Sequence, residues 1–115
     1  MPGVLMFYYL DQQLKVVACG VEELIKVQTQ NLGHVHYTVA VDHPVLGVKV
    51  STVFTGVDVG HDVDVPHTFE TMVFVRDHTD SRITDLDQAQ VRYVSFADAL
   101  DGHARMCDQV LERLA

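Results

Sequence analysis

Apolar positions along this chain come in short runs broken by polar or glycine-containing segments, and the period of each run predicts an element. Val4 to Leu10 is rich in strand formers, and Leu14 to Cys19 follows the polar link Asp11-Gln12-Gln13, which predicts a hairpin of two strands. After Gly20, Val21, Leu24, Ile25 and Leu32 recur at helical spacing, with Glu22 and Glu23 in a first turn, so a short helix is expected over 21–31. The β-branched runs His36 to Val41 and Val48 to Thr55 flank Asp42 to Gly47, whose Pro44 and Gly47 predict a turn and a second hairpin. Thr68 to Val75 is a further strand, 76–90 lacks a sustained period and reads as a long loop, and Val91 to Val94 is a short strand. Ser95-Phe96-Ala97-Asp98 then resembles a capping box. Behind it Phe96, Ala99, Leu100, His103, Met106, Cys107, Val110, Leu111 and Leu114 form one stripe, which predicts a C-terminal amphipathic helix. The expected fold is α+β: a largely antiparallel sheet of five to six strands, with the short helix and the C-terminal helix packed on it.

Composition narrows the class. The 115 residues suit a single domain, 48% are apolar and 21% charged, and the apolar runs fall far short of the roughly 20 residues that cross a bilayer. No basic segment precedes an apolar stretch at the N-terminus, so residence in a cytoplasm is expected. Cys19 and Cys107 are too few and too far apart for a disulfide framework or a CxxC site, and both are expected to be buried thiols. Eight basic against sixteen acidic residues give a net charge of −8, which argues against nucleic-acid binding. The acidity fits simple solubility, docking on a basic protein, or imitation of nucleic acid.

Candidate chemistry is sparse. Asp58, His61, Asp62, Asp64, His67 and Glu70 place six potential ligands within thirteen residues. A calcium loop begun at Asp58 fails at Gly60 and at Phe69, its twelfth position, and no HExxH or CxxC marks zinc. Alternating Asp-Val-Asp-Val has the simpler meaning of a solvated connection, so no metal or other cofactor is assigned, and His61 and His67 remain only weak metal candidates. Period two puts Glu70 on the same face as Met72 and Phe74. If that face is the core, the carboxylate needs a partner, for which Arg92, Tyr93, Ser51, Thr52 and His103 are available. His103, inside the helical stripe, is expected to be a satisfied core-edge residue unless it meets Glu70 or His67. His34 and His36 would share a side in an extended chain but lack an identifiable third ligand. No serine lies in a GxSxG context and no phosphate-cradling glycine loop occurs, so no catalytic residue is assigned.

Val50-Ser51-Thr52-Val53-Phe54, Gly56-Val57-Asp58 and Phe69-Glu70-Thr71-Met72-Val73-Phe74, with Arg92-Tyr93 and Gly102-His103 further on, resemble a family of small uncharacterised proteins of bacteriophages and prophages. Its members carry "VSTVFLGLDH", "FETMVFGG" and "RYxT" segments and a C-terminal helix containing "GH". The chain departs from that pattern at Thr55, Val57 and Val59, and at Val75-Arg76, which replaces paired glycines. The resemblance implies a phage context; with the acidity of the chain, the leading expectation is a small accessory protein in the infected bacterial cytoplasm that acts by binding a host or phage protein rather than by catalysis. Nucleic acid and membrane are not expected partners, and self-association stays open. Two alternatives stand beside it. One is a small-molecule or metal-binding protein, for sequestration or hydrolysis, with a site around Glu70 and His103, and the other is a minor virion or assembly component. The residues singled out for binding are Glu70, Asp58, Ser51, Arg92, Tyr93 and His103.

Overall fold

The computed structural model describes residues 6–59 and 65–115. β1 (Phe7–Leu10) and β2 (Val16–Cys19) form an antiparallel hairpin. Its turn is tied by the Asp11 carboxylate, which accepts the backbone N–H of Gln13 and of Lys15 at 2.9 Å each. α1 (Val21–Gln30) ends at Asn31, whose φ of 54° lets its N–H reach the Val27 carbonyl. Val27, a β-branched residue unfavourable in an isolated helix, is the one buried position of α1, so packing overrides propensity there.

The larger sheet is a four-stranded antiparallel meander: β3 (Tyr37–Val45), β4 (Val48–Phe54), β5 (Phe69–Val75) and β6 (Gln90–Tyr93). Strict alternation buries Val48, Val50, Thr52 and Phe54 in β4, and Phe69, Thr71, Val73 and Val75 in β5. α2 (Phe96–Leu114) lies across that face, started by Ser95, whose Oγ accepts the Asp98 N–H. Ala99, His103, Met106, Cys107 and Val110 are its buried side chains.

Among the described residues the interior holds two apolar clusters. One joins Val48, Val50, Val73 and Val75 to Met106, Cys107 and Val110. The other joins Leu10, Phe54, Phe69 and Ala99, with the Phe54 and Phe69 rings 5.3 Å apart. In β4, β5 and α2 alike, the residue between the two clusters is polar: Thr52, Thr71 and His103. A hydrogen-bonded layer therefore separates two dry ones.

The α+β class and the largely antiparallel pairing hold, with the six strands divided between a four-stranded sheet and a two-stranded one and α1 packed against β1. Local expectations need correction. β3 continues through Pro44 to Val45, leaving only Leu46 and Gly47 as the turn. Register shifts between Thr38 and Ala40 and between Asp42 and Val45 accommodate the proline on an edge strand. The 76–90 segment is anchored. Ile83 and Leu86 are buried in the first cluster, Thr84–Leu86 forms a 3₁₀ turn, and Asp87 accepts the Val75 N–H at 2.9 Å. Leu100 and Leu111 flank the α2 stripe and are exposed.

Candidate metal centre

His103 and Cys107 are one helical turn apart, so both project from the face of α2 that meets the sheet. Beneath them Thr52 and Thr71 stand directly opposite in the β4–β5 ladder, and their hydroxyls are 2.5 Å apart. Thr52 Oγ1 also lies 2.8 Å from His103 Nδ1, which fixes the plane of the imidazole. On the other side of the ring, Asp42 Oδ1 is 3.3 Å and Cys107 Sγ 3.8 Å from Nε2. Asp42 arrives there because it pairs in register with Val50, and so faces α2 from the edge strand β3. The imidazole side chain is 6% exposed and the carboxylate 57%, so the cluster is closed toward the core and open toward solvent.

The two hydroxyls can reverse direction, and this gives the cluster two complementary proton patterns. In one, Nε2–H donates to Asp42, Nδ1 accepts from Thr52, and Thr52 accepts from Thr71. In the other, Nδ1–H donates to Thr52, Thr52 donates to Thr71, and the Nε2 lone pair faces the carboxylate and the thiol. The second pattern juxtaposes three electron-rich atoms, an arrangement that a cation stabilises.

Burial, and then the Asp42 carboxylate, push the Cys107 thiol up to about 11. Without a cation it therefore stays protonated at neutral pH. A bound metal ion reverses that preference and converts it to thiolate.

The donor atoms of Asp42, His103 and Cys107 all lie within 4.8 Å of one another. Zinc bonds of about 2.3 Å to sulfur and about 2.0–2.2 Å to nitrogen or oxygen, at tetrahedral angles, put sulfur and nitrogen about 3.6 Å apart and nitrogen and oxygen about 3.4 Å apart. The corresponding separations here, 3.8 and 3.3 Å, match those edges closely. Three protein donors leave a fourth tetrahedral position for water or a further ligand.

The residues singled out from sequence do not gather at this centre, His103 excepted. Glu70 lies on the outer face of the sheet, with Met72 and Phe74, while Phe69, Thr71 and Val73 take the buried face. Its partner is Arg92, with Nε 3.3 Å from Oε2, across the β5–β6 ladder. Ser51 is on the same outer face, opposite Met72. Tyr93 packs its ring against Gly102 and buries its hydroxyl with no hydrogen-bond partner among the described residues. Arg92, Tyr93 and His67 line a shallow groove of about 280 Å³ with Asp98, Asp101 and Arg105. Asp58 accepts the His67 N–H at 2.9 Å. His61 lies outside the described residues. Glu70 and His103 thus lie on opposite faces of the sheet.

The residues missed are Asp42, Cys107 and the two threonines. The spacing His103-x3-Cys107 on a helix was a usable signal, as was a threonine at a core position of each central strand. Nothing local marks Asp42, whose approach depends on the register shift in β3. Comparison with models of known protein families, with curated proteins and with solved structures finds no match for this chain.

Proposed function

We propose that this protein binds a divalent transition-metal ion, zinc foremost, through His103 Nε2, Cys107 Sγ and Asp42. The observation that carries this reading is the convergence of three different donor types within 4.8 Å, two of their separations close to tetrahedral edges, with the imidazole held from behind by Thr52. Thiolate and imidazole select zinc and its neighbours over calcium or magnesium. The partly exposed Asp42 and the open fourth position suit a reversible store or sensor of the ion. Chelator-stripped protein titrated with zinc, or with cobalt as a coloured substitute, is expected to bind one equivalent and to show a sulfur-to-cobalt absorption band. Cys107→Ser should abolish the band and Asp42→Asn should weaken binding about 10–100-fold. Because the thiol must lose its proton, affinity should rise about tenfold per pH unit near neutrality. Absence of stoichiometric binding, or a band that survives Cys107→Ser, would sink the proposal.

A second reading, an accessory protein that docks on a host or phage protein, is supported by the outer face of the four-stranded sheet. No described element covers that face, and Val41 and Val53 lie there beside Met72. A photo-crosslinking residue at Val53 should then capture a discrete partner in infected cells, whereas one at Glu112 on α2 should not. Equal labelling from both positions would count against this reading.

A further inference from the structure

A groove of about 460 Å³ opens at the β3–β4 turn, where Lys49 and Phe74 lie on the outer face of the sheet. Its walls bring together His43, Lys49 and Arg76 with Leu46 and Phe74. In a chain of net charge −8, a local surplus of basic groups is itself unusual. Arg82, Arg92, Arg105 and Arg113 are each ion-paired, with Asp80, Glu70, Asp101 and Asp85 respectively. Among the described residues, Lys49 and Arg76, like Lys15 and Lys26, have no acidic partner, and these two share one groove. Lys49 is already positioned, its ammonium 5.1 Å from the centre of the Phe74 ring. Arg76 is fixed at the backbone, its N–H donating to the Gly47 carbonyl at 2.7 Å. Beside these cations stand two apolar surfaces that the fold leaves in water: Leu46 is fully exposed at the turn and Phe74 is 41% exposed.

Unpaired cations next to unburied apolar surface specify a ligand with both features. We infer that this groove binds a small molecule carrying a carboxylate or phosphate on an apolar, planar body, the anion between Lys49 and Arg76 and the body against Phe74 and Leu46. The volume falls within the range of small-molecule sites, roughly 300–1,000 Å³. Arginine supplies a fork for two anionic oxygens and lysine a point charge, so the pair accepts either headgroup. This inference is independent of the metal centre.

Amide chemical shifts followed during titration provide the test, with phenyl phosphate, benzoate, benzyl alcohol and inorganic phosphate as separate probes. At least one aromatic anion should saturate, with shifts centred on Gly47, Lys49, Phe74 and Arg76, and the ratio of the two anions identifies the preferred headgroup. Benzyl alcohol, which lacks the charge, and inorganic phosphate, which lacks the ring, should each bind at least tenfold more weakly. Lys49→Gln with Arg76→Gln, both at exposed positions, should lose at least tenfold while far-UV circular dichroism stays unchanged. The inference is overturned if neither aromatic anion saturates, if the shifts centre elsewhere, including around His103, or if the double variant binds as well as the parent.

Discussion

Cys107 is where the chemistry of the centre can be read most directly. In the metal-free protein its thiol titrates at about 11 rather than near the ordinary 9.0. The unfolded chain therefore loses this proton first, and folding stability should fall as pH rises from about 9 to about 11. Below that window both states hold the proton and the contribution is complete. Burial also raises Cys19, so the two thiols add to the same slope. Denaturation midpoints measured across this range on chelator-treated protein should decline less steeply in Cys107→Ala than in the parent. Identical slopes would remove Cys107 from the account. The burial of this thiol was legible from its place in the helical stripe. The neighbour that controls its charge was not, because Asp42 comes from a strand 65 residues earlier and only tertiary structure brings it near.

Among the elements, α2 shows what a local pattern can and cannot specify. Its Ser95 start and its buried stripe followed from capping chemistry and 3.6-residue spacing. Gly102, in the middle of the helix, runs against those rules, since alanine normally improves a helix interior by about 1 kcal/mol. The Tyr93 ring occupies the space that a β-carbon at this position would need. Gly102→Ala is therefore expected to destabilise by about 1–3 kcal/mol, the usual cost of overpacking, as measured by urea denaturation. Combining it with Tyr93→Leu should recover part of the loss, and a stabilised single variant would refute the packing account. The 76–90 segment misled for the opposite reason. Its two buried anchors, Ile83 and Leu86, are isolated in a polar run and have no period to reveal them.

At the scale of the molecule, the α+β class and the antiparallel pairing were legible because β4 and β5 alternate cleanly and each hairpin has its own turn signal. The face assignment of Glu70 was not. Either face of β5 offers an apolar set, Met72 and Phe74 on one side and Phe69, Val73 and Val75 on the other, and only the position of α2 decides between them. The segments that carry the sequence resemblance, around Ser51 to Phe54, Phe69 to Phe74 and Gly102-His103, supply Thr52, Thr71 and His103 to one polar layer. That layer gives the interior a fixed register: slipping β4 or β5 by one residue would place a threonine hydroxyl in water and strand the imidazole without a partner.

The run Asp42-His43-Pro44 has a consequence of another kind. β3 and β6 form the two edges of the larger sheet, and β3 is by far the longer. A nine-residue edge is ordinarily a template on which a neighbouring chain can add a strand, the first step toward fibrous aggregates. Pro44 has no N–H to offer such a strand, the two register shifts interrupt its ladder, and Asp42 adds charge. The same stretch that lends a ligand to the metal centre thus acts as a gatekeeper, and any self-association of this protein should proceed face to face rather than edge to edge.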